Sequence, residues 1–247
     1  MIHPIFHLIL SYLFIGLIAT HLANTKVVAA TSKKRWTKVG IYVLITFSLV
    51  LSILYFPSFF LLLSLLIIGL GLKEILHLQK LDGAIFKTTF GQISVVVYLI
   101  VASLFLSFIF QFKDKPDYLL YWFVLVFTFD SFSQLSGQLF GKQPLFPKTS
   151  PNKTVGGLIG GLLFALGTAL LIHNWIDTTR LHSLLLGFLI SMASLIGDYM
   201  ASFYKRKYAV KDFNELIPAH GGILDRFDSF IFSGAVLGLL SVFLITT

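Results

Sequence analysis

The sequence predicts an all-α integral membrane protein. Charged residues make up only 12% of the 247 residues, about half the share that is typical of soluble domains. The mean hydropathy is +0.87, and several apolar runs approach the roughly 20 residues that a helix needs to cross a hydrocarbon core. The chain has no cysteine, which excludes disulfides, thiolate catalysis and cysteine-ligated metal sites.

About eight transmembrane helices are expected, with a range of about seven to nine. The second and third are separated only by the region of Pro57, so they form either a hairpin or one broken helix. The first apolar run has no charged segment before it and no small-residue cleavage site, and we expect it to be a retained helix. The predicted spans are 5–23, 39–54, 57–72, 90–111, 118–136, 155–176, 182–202 and 227–246.

The distribution of lysine and arginine tests this layout. When successive loops are assigned to alternate sides, 16 of the 19 basic residues fall on one side of the membrane. The side that is rich in lysine and arginine is normally cytoplasmic. We therefore expect the amino terminus outside and the long loops at 137–154 and 203–226 in the cytoplasm. The net charge of +8 then reflects membrane orientation, and no nucleic-acid partner is expected.

The loop at 141–154 contains three prolines and three lysines. Because proline restricts the backbone, this loop is expected to have a defined shape. It leads into a glycine-rich helix in which Gly156 and Gly160, and likewise Gly157 and Gly161, are four residues apart. Small residues at this spacing favour close packing between membrane helices.

Asp198 lies inside an apolar run, where an ionised acid costs several kcal/mol unless it faces a partner, a metal or water. On a helix, Asp198, Ser202 and Lys205 share one face, so a carboxylate, a hydroxyl and an ammonium group line up toward the cytoplasmic end. The alternative is a helix end with a local Asp–Lys pair.

A second acidic group precedes the last apolar run. Asp225 and Asp228 share a helix face, and the helix dipole alone could explain acids at that position. It does not explain Gly221 and Gly222, whose backbone could approach a ligand closely and cradle phosphate. Carboxylates on two adjoining helix ends suit Mg²⁺, and the surrounding bases suit a metal-bound polyphosphate. A solvated charged loop is the alternative. The bases are Lys205, Arg206, Lys207, Lys211 and Arg226.

Residues 202–228 resemble the signature of the phosphatidate cytidylyltransferases. Gly197-Asp198, the segment Ser-Pro-Asn-Lys-Thr at 150–154 and Asp130-Ser131 are also similar to motifs of that family. The resemblance covers roughly 128–230, and the first 120 residues match only as hydrophobic spans. The signature residues present at the family's spacing are Ser202, Lys205, Arg206, Lys211, Asp212, Pro218, His220, Gly221, Gly222, Asp225, Arg226 and Asp228.

The resemblance implies an enzyme that joins CTP and phosphatidic acid to give CDP-diacylglycerol and pyrophosphate. It implies Mg²⁺, as one or two ions, and a bacterial inner (plasma) membrane with the active site at the cytoplasmic face. Residues 1–120 would then form an N-terminal membrane-helix region, and residues 121–247 a catalytic membrane region. CTP and a lipid phosphate are the expected partners, and a homodimer is left open.

Roles follow from the same resemblance. Asp198, Asp225 and Asp228 are expected to bind metal and, with Lys205, to form the catalytic group. Asp212 would orient a neighbouring base, and Lys153 with Thr154 would close over a substrate. His220 would donate to a phosphate or shape the glycine turn. The expected substrate-binding set is Ser202, Arg206, Lys211, Asp212, His220, Gly221, Gly222, Arg226, Lys153, Thr154 and Asp130, the last being either a metal or nucleotide contact or a helix-end polar group.

Four positions or segments depart from the family pattern, and two of them are single residues: Asn214 stands where the family has a small residue, and Ala219 stands where it has glycine. The other two are longer. Val155-Gly156-Gly157 stands where the family has Trp-Glu-Gly, and Phe132-Ser133-Gln134 stands where it continues toward Ala-Tyr. These changes keep open a different lipid acceptor, a CTP-dependent lipid kinase, or a catalytically degenerate paralogue with a structural or regulatory role. A transporter is disfavoured because the charges cluster at one interface. Glu74 beside Lys73 is interpreted as a polar pair at a span end, with support of the site as the alternative.

Overall fold

A computed structural model describes residues 4–25, 29–81, 83, 86–214, 216 and 221–245. Within these residues the chain forms eight α-helices, a 3-10 turn at His173–Ile176 and one antiparallel β-hairpin. The helices are α1 Ile5–Asn24, α2 Ala29–Tyr55, α3 Pro57–Leu81, α4 Thr89–Phe112, α5 Pro116–Phe140, α6 Val155–Ile172, α7 Arg180–Lys207 and α8 Leu224–Ile245; the strands are β1 Pro144–Phe146 and β2 Ser150–Thr154.

The all-α membrane class is confirmed. Six of the described helices are long and apolar enough to cross a membrane, and their outward faces carry large apolar side chains such as Leu163 and Leu171. The count of about eight spans and the outside amino terminus stay predictions. The six candidate spans are Arg35–Tyr55, Pro57–Leu81, Thr89–Phe112, Pro116–Phe140, Val155–Ile176 and Arg180–Lys207.

The second and third helices are separate elements that meet at Phe56. The amide of Phe56 donates to the Ser52 carbonyl at 3.0 Å, and the Phe56 carbonyl accepts from the Phe60 amide at 2.9 Å. Pro57, which has no N–H, is the first residue of α3 and therefore leaves no donor unsatisfied there. The chain thus passes from α2 to α3 through a single non-helical residue.

Helix α5 forms the centre of the molecule. Its Trp122 is fully buried and donates to Ser233 Oγ at 2.9 Å. The Trp122 ring lies 4.0 Å from the ring of Phe230 in α8, between centroids, with the two planes tilted by 35°. On another face, α6 packs closely against α5, as the glycine spacing predicted. A Cβ added at Gly157 would lie 2.7 Å from the Ser133 carbonyl oxygen, so only glycine allows this approach.

Three of the lysine-bearing loops lie at the same end of the molecule. The hydroxyl of Tyr204 in α7 donates to the Ile75 carbonyl of α3 at 3.0 Å. Arg206 Nε donates to the Thr149 carbonyl of the hairpin at 3.0 Å. Tyr121 contacts Ser183 at the opposite end, where α5 and α7 begin. This grouping is what the assignment of alternate loops to alternate sides requires.

Candidate active site

The carboxyl-terminal half of α7 supplies one wall of the candidate site. Ser202 Oγ donates to Asp198 Oδ1 at 3.4 Å, so these two side chains share a face as predicted. Lys205, one turn further on, extends to α8 and lies 2.5 Å from Asp225 Oδ1. The partner of Asp198 is Lys153 of the hairpin. The alternative of a local pair between Asp198 and Lys205 is therefore wrong.

Asp225 is an organising residue at the start of α8. Its side chain is only 2% exposed, and one of its oxygens forms the ion pair with Lys205. The other oxygen accepts from the backbone amides of Phe213 and Gly222, both at 2.8 Å. A buried ion pair is stable only when its remaining hydrogen-bonding capacity is satisfied, as it is here. Asp225 therefore links α7, the 211–214 segment and the glycine turn.

The two glycines of the turn are required because carboxylates approach the backbone. Gly221 has φ +81°, in the left-handed region that favours glycine, and an added Cβ would lie 2.7 Å from Asp225 Oδ2. A Cβ at Gly222 would lie 2.5 Å from an oxygen of Glu74. The Gly222 amide donates to Asp225, and its part in binding phosphate stays a prediction.

Glu74 of α3 contacts this region, as in the alternative that the sequence left open, and the preferred interpretation of a pair with Lys73 is wrong. Its side chain does not form a span-end pair with Lys73. It is buried, and Oε1 accepts from Asn214 Nδ2 and from the Ile223 amide, both at 2.8 Å. Its Oε2 accepts from the Leu224 amide at 2.9 Å. The available signal was an acid inside an apolar helix, which needs a partner.

A second acidic group is formed by Asp130, Asp198 and Asp228, which come from α5, α7 and α8. The charges of all three interact. Asp228 Oδ1 also accepts from the Ser229 amide at 2.7 Å, and the Ser229 side chain lies close to Asp130. The positive charge of Lys153 acts on Asp130 and Asp228 as well as on Asp198. Three helices thus bring acids together near one hairpin lysine.

The donor chemistry of this acidic group decides which metal it suits. Among the described residues, no cluster of three or more histidine, aspartate or glutamate side chains is arranged to hold a metal ion on its own. Mg²⁺ commonly takes only one or two protein carboxylates and completes its shell with water and substrate phosphates. Asp198 and Asp228, with Asp130 nearby, fit such a shared magnesium site. Asp225 differs from Asp198 in exposure, because its side chain is only 2% exposed and is enclosed by an ion pair and two backbone amides, whereas the Asp198 side chain is 32% exposed.

The β-hairpin is held against α7 by several contacts. Lys153 pairs with Asp198, and the rings of Phe146 and Tyr199 lie 4.6 Å apart. Arg206 donates from Nε to the Thr149 carbonyl, and from Nη1 to the Val210 carbonyl at 2.8 Å. The hairpin therefore lies over the part of α7 that carries Asp198.

The remaining predicted residues occupy the edge of the site. Thr154 caps α6 by accepting from the Gly157 amide at 3.1 Å, which is a structural role that the sequence interpretation did not assign. Lys211, Asp212 and Arg226 are exposed. His220 and Pro218 lie outside the described residues, so the predicted role of His220 stays a prediction.

Comparison with known proteins shows the family of this chain. The phosphatidate cytidylyltransferase of Staphylococcus aureus is 40% identical over 150 residues, which cover 59% of this chain and 56% of that protein. The enzyme of the same name from Aquifex aeolicus is 38% identical over 159 residues, 64% of this chain and 58% of that protein. The match thus spans little more than half the length of these curated relatives. The profile of the cytidylyltransferase family matches residues 5–244, and the chain belongs to that family.

Proposed function

We propose that this protein is a phosphatidate cytidylyltransferase, which joins CTP and phosphatidic acid to give CDP-diacylglycerol and pyrophosphate. The proposal is supported by membership of the cytidylyltransferase family and by relatives that carry this name. The structural observation that carries it is the meeting of Asp130, Asp198 and Asp228 beside Lys153 at one end of the helices. This end combines acids for a metal with bases for phosphate.

The reaction requires the protein to carry out little proton transfer. An oxygen of the lipid phosphate attacks the α-phosphorus of CTP, and the bond to the bridging oxygen of the β-phosphate breaks as pyrophosphate leaves. The second pKa of a phosphate monoester is about 6, so the nucleophile is already largely anionic near neutral pH. The main obstacle is the mutual repulsion of two polyanions. Positioning and charge neutralisation are therefore the functions that the site must provide.

Magnesium would be held by Asp198 and Asp228, with Asp130 as a neighbour, and completed by phosphate oxygens and water. When bound, the ion would neutralise phosphate charge and stabilise the leaving pyrophosphate. Whether one or two ions bind is a further part of the proposal. Asp225 would contribute indirectly, because its ion pair fixes Lys205 beside the acidic group.

The basic side chains would bind the substrates. Lys153, which pairs with Asp198, lies on a hairpin that could carry its ammonium group onto a bound phosphate. Arg206, Lys211 and Arg226 lie exposed around the same end and would receive the triphosphate. The acyl chains of a lipid phosphate stay in the bilayer while CTP arrives from water. A site at the helix ends suits both, and we place it at the cytoplasmic face of a bacterial inner membrane.

The test is a transfer assay with purified protein, Mg²⁺, phosphatidic acid and CTP labelled in the cytidine or at the γ-phosphate. We expect cytidine label in the lipid fraction, and a loss of at least about a hundredfold in Asp198→Asn. Asp114→Asn is the matched control, because Asp114 is exposed in the loop between α4 and α5 at the opposite end. Label that reaches lipid only from the γ-phosphate would instead identify a lipid kinase. No transfer from either label to several lipid phosphates and lipid alcohols would overturn both enzyme assignments.

A further inference from the structure

The amino terminus of α8 is capped by a side chain from a distant helix. Glu74 in α3 accepts from the amide of Leu224, the first residue of α8, across 150 positions of the chain. It also accepts from the amide of Ile223. The first amides of a helix have no partner within it, and a carboxylate at that end is favoured by the helix dipole. This cap therefore fixes where α8 begins relative to α3.

The same carboxylate closes a larger arrangement around the glycine turn. Glu74 approaches Gly222, and Asp225 approaches Gly221, so closely that neither glycine could carry a side chain without displacement. Asn214 donates to Glu74, and the neighbouring Phe213 amide donates to Asp225. The turn is thus held by two carboxylates whose hydrogen-bond donors come from the same two segments. Their mutual repulsion is offset by these donors.

The cap at the start of α8 also affects the position of Asp228, which lies one helical turn after Leu224. Its charge interacts with those of Asp198 and Asp130, so a shift or fraying of the start of α8 would move one member of that group. Nothing in the described contacts of Glu74 brings it to the acidic group itself. Its influence on that group passes through the backbone of residues 222–228.

We propose that Glu74 is a positioning residue for cytidylyl transfer, which holds the start of α8 so that Asp228 stays beside Asp198 and Asp130. This inference rests on the proposed function. Helix α3 lies outside the 128–230 segment that carries the family motifs, and a positioning role of Glu74 makes this helix part of the support of the active site.

The first test is Glu74→Gln, which keeps the size of the side chain but replaces one acceptor oxygen with an NH₂ group. All partners of Glu74 given above are donors, so the new amide opposes at least one of them. We expect kcat to fall by about ten- to a hundredfold, and the Mg²⁺ concentration for half-maximal activity to rise. Loss of folded protein alone would lower the apparent kcat without moving the Mg²⁺ dependence.

A second readout does not depend on activity. Hydrogen exchange of peptides covering 211–230 should be faster in Glu74→Gln than in the wild type, while peptides covering 113–117 should be unchanged. Gly222→Ala should reproduce both effects, because its Cβ would displace the Glu74 carboxylate. Gly167→Ala is the matched control, since an added Cβ there has nothing within 4 Å.

The donor and the acceptor of the hydrogen bond between Asn214 and Glu74 can also be exchanged. In Glu74→Gln combined with Asn214→Asp, the new amide can donate to the new carboxylate, and part of the lost kcat should return. An active wild-type enzyme whose Glu74→Gln variant keeps its kcat, Mg²⁺ dependence and exchange pattern would overturn the positioning role alone. A wild-type protein without any transfer activity would overturn the proposed function, and this role with it.

Discussion

The ion pair between Lys205 and Asp225 has a different function from the one between Lys153 and Asp198. The first is almost completely buried, with side-chain exposures of 10% and 2%. The second is open to water, with exposures of 25% and 32%. Removing one member of a buried pair leaves an uncompensated charge, whereas exposed pairs contribute little to stability. The two aspartates should therefore respond differently to neutralisation.

We expect Asp225→Asn to lower stability by about 3–5 kcal/mol, as is typical when a buried ion pair is broken. Asp198→Asn should leave the apparent Tm within a few degrees of wild type while abolishing transfer. Thermal unfolding in detergent, followed by tryptophan fluorescence, measures the difference. Adding Lys205→Met to Asp225→Asn should recover part of the Tm, because the unpaired charge is removed. Equal losses of Tm in the two aspartate variants would contradict this division of roles.

Sequence spacing alone could not show that Asp225 and Asp228 have different surroundings. The interval between Asp225 and Asp228 correctly indicated one helix face, but not which side chains surround each oxygen. Asp225 faces a lysine and two amides, and Asp228 faces two further acids. Those partners come from α5, α7 and the 211–214 segment, so they depend on packing that local periodicity does not encode.

At the scale of single elements, the β-hairpin is fastened by Arg206. Its guanidinium group contacts the Thr149 and Val210 carbonyls from two different nitrogens. Lysine has one ammonium group and does not reproduce this fork. We expect Arg206→Lys to expose the hairpin, so that trypsin cleaves at Lys142 and Lys148 several-fold faster in mild digestion. Arg180→Lys at the opposite end is the control. Unchanged cleavage would show that Lys153 and Phe146 hold the hairpin without Arg206.

The contact between α5 and α6 is a second element-scale feature, and here the glycine spacing predicted close helix packing, although not which helix is the partner. An added Cβ at Gly157 would lie 2.7 Å from a backbone oxygen of α5, and one at Gly161 would lie 2.9 Å from another. Backbone atoms cannot move aside as side chains do, so Gly157→Ala should lower stability by about 1–3 kcal/mol. Gly167→Ala should have no comparable effect. A Tm of Gly157→Ala equal to that of the control would show that the two helices can separate without cost.

Across the whole molecule, the sequence predicted the positions of the helices well, but it did not predict which elements contact each other. Hydropathy and proline located each helix of the described residues, because each span depends on its own composition. The contact of Glu74 with the start of α8 joins residues 150 positions apart, and no local pattern carries that information. The pair Asp225 and Asp228 could be recognised from the sequence because its members are close together in the chain. The residues that hold this pair in place come from other helices, and hydropathy does not distinguish one apolar helix from another.

The whole-molecule prediction concerns orientation. Three of the lysine-rich loops lie at one end of the structure, and the positive-inside rule assigns that end to the cytoplasm. The chain has no cysteine, so a single introduced thiol reports its own location without background. In intact cells or spheroplasts, a membrane-impermeant maleimide should label Asp114→Cys at once, and Lys142→Cys only after permeabilisation. These positions lie at opposite ends, on either side of α5. The reverse order of labelling would place the acidic group on the outer face, where CTP from the cytosol could not reach it.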